Sequence, residues 1–318
     1  MSPTYPSFTK TYHHDQYPAI DPTQTLLDCS KKVVIITGGG RGIGKAIAIG
    51  FAKAHAKGIA LLGRTKSSLE NAAAEVRQAS DGLTDVHIVT ADIMVQSQVT
   101  EAMESTIKHF GRVPDVLINN AGGITGLGSL ADLDIDEFME AYDLNLRGPL
   151  TVLQTFIRAN RQHSPDTPRT VINLPSGLAH VPFAGPAASY GSSKMAMARI
   201  TEYAHHEMPS WNIFNMQPGV VGTDLARAAG RQGEDAPELP AGFAVWLAAH
   251  PDARKLNGKF IWANWDIDEV LDRAEEIEKK DLLTLALKGW SEDTNAEELK
   301  SIVARVMKGT NNDAGRKE

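Results

Sequence analysis

The sequence predicts an α/β fold, with one doubly wound, parallel, seven-stranded sheet that carries helices on both faces. Short, apolar, β-branched runs alternate with longer amphipathic segments, and a glycine-rich stretch separates the first predicted strand from the first helix. The chain has 318 residues, a length that suits one large α/β domain or two small ones. Because alternating strands and helices build parallel βαβ units, we expect a single sheet.

The predicted elements follow one another in alternation. The strands are expected at residues 33–36, 59–62, 86–89, 116–118, 171–174, 213–216 and 259–262. The helical segments are expected at residues 43–55, 67–79, 96–110, 134–161, 189–207 and 243–249. In such sheets ligands bind beyond the carboxyl ends of the strands. The stretches that follow each strand are therefore where we expect the chemistry.

Three regions are predicted from these patterns. Residues 1–31 form an N-terminal arm without periodicity, and residues 32–265 form the sheet domain. Residues 266–318 form a C-terminal extension, with helices at 268–280 and 296–306 and a disordered tail at 311–318. No internal repeat is present in the sequence.

Composition excludes several classes of protein. The net charge is −7 and no basic stripe is concentrated in the sequence, so no nucleic-acid partner is expected. No apolar run reaches the roughly 18 residues that span a membrane, and residues 1–16 lack the apolar core of a secretory signal. The single cysteine, Cys29, fits a reducing compartment. We expect a cytoplasmic protein without a metal site, in which His13 and His14 are a surface pair.

The stretch at residues 37–44 reads Thr-Gly-Gly-Gly-Arg-Gly-Ile-Gly and joins the first strand to the first helix. Glycines let the backbone approach a pyrophosphate closely, and the helix N-terminus supplies free N–H groups. Residues 39–45 also match the phosphate loop of NTPases, but Ala46 replaces the hydroxyl residue that binds magnesium there. Dinucleotide binding in a Rossmann-type fold is therefore favoured.

The choice of cofactor depends on the end of the second strand. An acidic residue there would hold the ribose 2′-hydroxyl of NAD, whereas this sequence has Arg64. Together with Arg41 in the glycine loop, Arg64 can bind a 2′-phosphate through charge-assisted hydrogen bonds. NADP(H) is the predicted cofactor, and two solvated surface arginines are the alternative.

Tyr190 and Lys194 are four positions apart, so they share one face of the predicted helix. A neighbouring ammonium favours the phenolate and lowers a tyrosine pKa from about 10 toward neutrality, as proton transfer requires. Ser176 follows the fifth strand, where its hydroxyl can donate to a substrate oxygen. A Ser–His hydrolase is disfavoured, because residues 174–178 lack the nucleophile elbow and no acid is placed to orient His180.

Asn145 lies in the long helical segment, four residues before Pro149. Proline has no N–H, so the carbonyl of Asn145 loses its α-helical partner and can hold a water. The alternative is a simple break between two helices.

In this order and spacing, the motifs closely resemble the classical short-chain dehydrogenases/reductases over about residues 32–262. The resemblance implies a catalytic tetrad of Asn145, Ser176, Tyr190 and Lys194, with a proton relay through a water on the Asn145 carbonyl. It also implies contacts to adenine, to the cofactor cleft and to the nicotinamide carboxamide after the third, fourth and sixth strands. With the glycine loop and the two arginines, the predicted cofactor-binding set is Gly38, Arg41, Gly42, Ile43, Gly44, Arg64, Asp92, Ile93, Asn119, Ala121, Gly122, Tyr190, Lys194, Pro218, Gly219, Val221 and Thr223.

The sequence departs from the common pattern near the substrate. Ser176 and Tyr190 are 14 positions apart, one more than expected, and Pro175 stands where serine is usual. Residues 9–15 and 262–269 resemble the flanks of fungal members that act in secondary metabolism. We also expect residues 224–240 to form a mobile lid over the substrate.

The expected function is NADP(H)-dependent interconversion of a carbonyl and a secondary alcohol on a small organic metabolite. The expected assembly is a homodimer or homotetramer. The alternatives are an enoyl reductase, epimerase or rearrangement enzyme of the same fold, and a non-catalytic NADP-binding regulator.

Overall fold

The computed structural model describes residues 6–181, 185–228 and 232–288 of the chain. Within these ranges seven strands form one parallel sheet in the order β3-β2-β1-β4-β5-β6-β7. The strands are β1 (Val33–Thr37), β2 (Gly58–Gly63), β3 (Asp85–Thr90), β4 (Val116–Asn119), β5 (Thr170–Asn173), β6 (Asn212–Gln217) and β7 (Phe260–Trp262). The helices are α1 (Gly42–Lys53), α2 (Lys66–Ala79), α3 (Gln96–Phe110), α4 (Ile135–Tyr142), α5 (Gly148–His163), α6 (Ala188–Glu207), α7 (Asp224–Ala228), α8 (Glu238–Ala249), α9 (Ile267–Leu271) and α10 (Ala274–Lys279).

The strand order confirms the predicted doubly wound fold. β1 pairs with β2 on one side and with β4 on the other, and all these pairings are parallel. The direction of winding therefore reverses between β1 and β4, which brings the loops after these two strands side by side. This edge of the sheet is where the candidate site lies.

Side-chain alternation along the strands builds a hydrophobic core on each face of the sheet. In β1, Val34 and Ile36 pack into the core that contains buried residues of α1, α2 and α8. Ile35 packs into the opposite core, with buried residues of α3 and α5. Because both faces are covered, every residue of β1 is buried, as the continuous apolar run predicts.

The segment predicted to be helical at residues 134–161 is helical from Ile135 to His163, but it is not one uninterrupted α-helix. Asp134 caps α4 through the N–H groups of Asp136 and Glu137, and a π-helical turn, Asp143–Arg147, separates α4 from α5. The N–H of Gly148 bonds to the carbonyl of Asp143, five residues back. Since the next residue is a proline without an N–H, the wider turn relieves the conflict that an uninterrupted α-helix would meet here.

The N-terminal arm has more structure than the sequence suggests. It contains two 3₁₀ turns, Pro18–Ile20 and Thr25–Leu27, and the side chains of Ile20 and Leu27 are buried in the core that includes α8. α8 itself begins at Glu238, earlier than predicted, and α7 covers the first residues of the predicted lid, so both ends of that segment are helical. The helix predicted at 268–280 is two short helices, α9 and α10. The segments predicted at 296–306 and 311–318 lie outside the described residues.

The arm also pairs with the start of the C-terminal extension. The N–H of His13 donates to the carbonyl of Asn264 at 2.7 Å, and the Glu269 carboxylate accepts from the N–H groups of Lys10 and Thr11. The two histidines predicted as a surface pair are both partly exposed, and each bonds to a carboxylate on a different element. None of the described helices is long and apolar enough to cross a membrane. The described residues contain no cluster of three or more potential metal ligands.

Candidate active site

The glycine loop turns tightly between β1 and α1. Gly38 and Gly42 have φ values of 66° and 54°, a region that favours glycine. A Cβ atom on Gly44 would clash with the carbonyl oxygen of Gly38, so only glycine permits this close approach. The side chain of Arg41, at the N-cap of α1, makes no capping hydrogen bond. The first N–H groups of α1, which include that of Ile43, can therefore bind an anion.

The loop after β4 is tied to the glycine loop through Thr37 at the end of β1. The Thr37 hydroxyl accepts from the N–H groups of Asn120 and Ala121, each at 3.0 Å. The Asn120 amide donates to the Thr37 carbonyl at 2.8 Å. Asn119 is buried, and its amide donates to the carbonyl of Pro149 at 3.0 Å. These contacts hold Asn119 and Ala121, which the sequence predicts to line the cofactor cleft, next to the glycine loop and α5.

Asn145 lies in the π-helical turn and bonds to the backbone of Gly123 in both directions. Its amide donates to the Gly123 carbonyl at 2.9 Å, and its Oδ1 accepts from the Gly123 N–H at 3.0 Å. The same amide lies 3.2 Å from the hydroxyl of Ser193 on α6. A Cβ atom on Gly122 would lie 2.6 Å from Asn145 Oδ1 and 3.1 Å from Lys194 Nζ. Asn145, Gly122 and Lys194 therefore converge on one point.

Tyr190 and Lys194 lie on the buried face of α6, and both side chains are largely inaccessible. The Lys194 Nζ lies 5.9 Å from the centre of the Tyr190 ring. It donates to the carbonyl of Leu174, just beyond the end of β5, at 2.9 Å. Burial lowers the pKa of Lys194 from 10.5 to about 8. The amine therefore titrates within the range in which proton transfer is useful.

Ser176 begins the 3₁₀ turn Gly177–Ala179, and its hydroxyl accepts from the N–H of Leu178 at 3.3 Å. This turn packs against α6, because a Cβ atom on Gly191 would lie 3.0 Å from the carbonyl of Leu178. His180 is oriented by Trp262, whose indole N–H donates to its Nε2 at 2.9 Å, and burial lowers the His180 pKa. Among the contacts that the structure describes, the partner of this histidine is the indole of Trp262 and not an acid.

The loop after β6 forms the side of the site that faces the glycine loop. Gly219 follows Pro218 and has a φ of 88°, and Val221 is buried. A Cβ atom on Gly42 would lie 3.1 Å from Thr223 Cγ2, so this loop reaches the glycine loop. The Thr223 hydroxyl accepts from the N–H of Ala226 at 3.2 Å at the start of α7.

The residues predicted at the adenine end lie along the carboxyl ends of β2 and β3. Arg64 is exposed directly after β2, and Arg41 pairs with Asp224 at 3.2 Å in an exposed ion pair. Asp92 is half-buried and accepts from the N–H of Met94 at 3.0 Å. Ile93 is buried and packs where a Cβ atom on Gly148 would lie, at 2.7 Å.

Four residues that position this site were not predicted from the sequence. Asn120 lies in the motif at residues 119–122, and Ser193 lies between Tyr190 and Lys194. Their polar side chains within these motifs could have indicated a role in the site. Asp235 and His14 are 221 positions apart in sequence and gave no signal, although they bond to each other beside the loop after β6.

A doubly wound sheet with an uncapped, glycine-rich helix N-terminus at its switch point defines an α/β protein that binds a dinucleotide. The glycine cradle fits such a group, because side chains at Gly38, Gly42 and Gly44 would strain or fill it. The short-chain dehydrogenase family model matches residues 32–234. The chain belongs to this family of nicotinamide-dependent oxidoreductases.

Several relatives of the chain come from fungi. It is 33% identical over 280 residues to "Short chain dehydrogenase tazN" of Aspergillus terreus, covering 85% of this chain and 59% of that protein. It is 31% identical over 287 residues to "Short chain dehydrogenase mpl6" of Monascus purpureus, covering 86% of this chain and 94% of that protein. The chain thus spans less than two thirds of the A. terreus relative but nearly all of the Monascus relative.

Solved structures share the fold. The "Pseudomonas aeruginosa RhlG/NADP active-site complex" superposes with a TM-score of 0.66 at 22% identity, covering 75% of this chain and 97% of that chain.

Proposed function

We propose that this protein is an NADP(H)-dependent oxidoreductase that interconverts a carbonyl and a secondary alcohol on a small organic metabolite. The observation that carries the proposal is the buried amine of Lys194, held at the end of β5 by the Leu174 carbonyl and next to Tyr190 and Asn145. A buried lysine whose amine donates to a neutral carbonyl is costly, so its position at the carboxyl edge of the sheet favours a chemical role.

Each member of the proposed tetrad has a separate task. A bound nicotinamide supplies hydride to the substrate carbon in reduction and accepts it in oxidation. Tyr190 donates a proton to the substrate oxygen as that oxygen becomes an alkoxide. Ser176 donates a hydrogen bond to the same oxygen. The Lys194 ammonium favours the phenolate that remains on Tyr190.

A proton route to Tyr190 is supported by the turn that contains Asn145. Pro149 has no N–H, so it cannot bond to the Asn145 carbonyl in an α-helical register. We propose that this carbonyl orients a water that returns a proton toward Lys194. The Asn145 side chain, fixed between Gly123 and Ser193, holds the turn in place.

A preference for NADP(H) over NAD(H) is supported by the turn after β2. The residue that follows this strand is Arg64, and no acid occupies the position of a ribose 2′-hydroxyl ligand. Arg41 already pairs with the exposed Asp224, so it must leave that carboxylate to reach a 2′-phosphate. We therefore assign the main 2′-phosphate contact to Arg64 and an auxiliary contact to Arg41.

We further propose a role in secondary metabolism and a homodimeric or homotetrameric assembly. The fungal relatives support the first. Leu130, Ile135 and Met139, exposed apolar residues in and before α4, support the second, because such side chains are often covered in an assembly.

The function is tested with NADPH deuterated at C4 of the nicotinamide and a panel of aryl ketones, diketones and conjugated enones. The expected result is oxidation of NADPH with deuterium on the carbinol carbon of an alcohol product. Deuterium on the β-carbon of a saturated ketone would support the enoyl reductase instead. NADPH binding without turnover on any compound would support the non-catalytic regulator.

A further inference from the structure

The N-terminal arm reaches the loop after β6 through His14. The Nδ1 atom of His14 lies 2.6 Å from Asp235 Oδ1, and the carbonyl of His14 accepts from the N–H of Ala236 at 2.8 Å. The Asp235 side chain is 2% exposed, whereas that of His14 is 38% exposed. The arm therefore holds a buried carboxylate from the solvent side.

The second oxygen of that carboxylate holds the backbone of the loop. Asp235 Oδ2 accepts from the N–H of Val220 at 2.5 Å. The N–H groups of Glu234 and Asp235 donate to the Val220 carbonyl at 2.8 and 3.1 Å. A Cβ atom on Gly219 would lie 2.6 Å from Asp235 Oδ2, so the carboxylate rests directly on the loop backbone. Asp235 thereby sets where the backbone of residues 219–221 lies.

These contacts lie next to the proposed nicotinamide site rather than in a remote part of the fold. Val221, one residue beyond the bonded Val220, forms a bridge with Asp235. Thr223, two residues further on, approaches the glycine loop at Gly42. A shift of the backbone at residue 220 therefore also moves Val221 and Thr223. These residues lie on the side of the cleft that faces the start of α1.

We propose that His14 and Asp235 are positioning residues for the nicotinamide end of the cofactor. His14 holds the buried carboxylate, and the carboxylate fixes the backbone that presents Val221 and Thr223. Loss of His14 removes a polar partner from a nearly inaccessible carboxylate, which then moves toward water or another donor and releases the loop. This inference rests on the proposed function, since it presumes that the loop contacts a nicotinamide.

The test compares two probes on each variant. NADPH contains the nicotinamide, whereas 2′,5′-ADP carries only the adenine end with its 2′-phosphate. His14→Ala is expected to raise the Kd for NADPH about tenfold, because the released loop must be ordered again when the cofactor binds. The Kd for 2′,5′-ADP is expected to change less than twofold. His14→Asn, whose amide can donate from nearly the same position, is expected to restore most of the NADPH affinity.

His13→Ala is the matched control, because His13 is the adjacent residue of the same arm. It bonds to Asp266 at 2.8 Å and stacks on Tyr17, away from Asp235. This variant is expected to lower the Tm while leaving both Kd values unchanged, which separates docking of the arm from positioning of the loop.

Equal changes in His13→Ala and His14→Ala, or equal weakening of both probes by His14→Ala, would overturn the positioning role. Unchanged NADPH affinity in His14→Ala would overturn it as well. Failure of the wild-type protein to bind NADPH would instead overturn the proposed function, and the inference with it.

Discussion

The fold strongly alters the ionisation of Lys194 at the candidate site. Its amine is buried, with the Leu174 carbonyl as its hydrogen-bond acceptor, and burial lowers its pKa from 10.5 to about 8. A shift of this size corresponds to roughly 3 kcal/mol of differential stability between charged and neutral forms. The sequence predicted that Lys194 would act on Tyr190, but it did not predict that burial would alter Lys194 itself.

The pH dependence of stability tests this burial. Below about pH 8 the folded protein carries a buried ammonium, and the unfolded chain keeps its proton up to about pH 10.4. Because the unfolded state binds more protons between these values, stability rises with pH there. Lys194→Met removes the charge, so it is expected to exceed the wild type by up to about 3 kcal/mol at pH 7.

That difference should shrink between pH 8 and 10 in urea unfolding measurements. Lys259→Met is the control, because its amine is paired with Asp281 at 2.7 Å and its removal is expected to lower stability. A gap between Lys194→Met and the wild type that does not vary with pH would show that the Lys194 amine is not destabilised by burial.

Arg64 is the proposed ligand of the 2′-phosphate of NADP(H). Arg64→Ala is expected to weaken NADPH binding about tenfold or more and NADH binding less than twofold, because only NADPH has the 2′-phosphate. The measurement is the Kd of each cofactor by fluorescence titration. Lys66→Ala is the control for loss of positive charge, since Lys66 is two residues away and faces Glu70 at 3.7 Å. Equal losses for both cofactors would exclude Arg64 as the 2′-phosphate ligand.

Among the elements, the π-helical turn between α4 and α5 and the loop after β4 form one unit, because hydrogen bonds and close packing join them. Asn145 bonds to Gly123 in both directions, and Gly122 lies against both Asn145 and Lys194. The sequence predicted the consequence of Pro149 for the Asn145 carbonyl but not the π-helical turn. Proline excludes one hydrogen bond, whereas the turn depends on packing against the loop after β4, which is distant in sequence.

Gly122→Ala tests this unit. The added methyl would lie 2.6 Å from Asn145 Oδ1 and 3.1 Å from Lys194 Nζ, so one of these side chains must move. Turnover is expected to fall about 100-fold, the size of effect seen for a misplacement of about 1 Å, with a stability loss of about 1–3 kcal/mol. Steady-state kinetics and thermal unfolding measure the two effects.

Gly128→Ala is the matched control for the loop after β4. The nearest atom to its added methyl is Leu133 Cδ1, at an ordinary 3.6 Å. Turnover within twofold of the wild type is expected for this variant. If Gly122→Ala behaved in the same way, the close packing of Gly122 against the tetrad would not matter for activity.

On the scale of the whole molecule, the two extensions form a clasp, defined as residues 8–14 with residues 264–273. Arg273 lies 3.6 Å from the centre of the Phe8 ring, and Asp266 bonds to His13. Asp266 also caps α9 through the N–H groups of Asp268 and Glu269. The clasp therefore joins the N-terminal arm to residues 264–273.

Asp266→Ala tests the contribution of the clasp to stability, with Asp134→Ala as its control. Both aspartates cap a helix through two N–H groups, but only Asp266 also bonds to the arm. Loss of a cap is expected to cost about 1 kcal/mol, and Asp266→Ala is expected to cost roughly 1 kcal/mol more because of the lost bond to His13. Equal losses in urea unfolding would mean that the arm contact adds nothing.

The doubly wound parallel sheet could be predicted because strand periodicity, glycine spacing and the motifs after each strand are local in sequence. The clasp could not, because its pairs join residues more than 250 positions apart, such as Lys10 with Glu269. The sole cysteine, Cys29, is buried, and burial raises the pKa of its thiol to about 12, which disfavours the reactive thiolate. The cytoplasmic location and the assembly stay predictions.

Tyr190→Phe tests directly whether Tyr190 is the proton donor, since it removes one hydroxyl and keeps the ring in place. The measurement is single-turnover oxidation of NADPH with the best ketone of the panel, together with the Kd for NADPH. A rate at least about 1,000-fold lower is expected, as for loss of a general acid, with a Kd within twofold of the wild type. A rate within tenfold of the wild type at the same Kd would contradict Tyr190 as the proton donor.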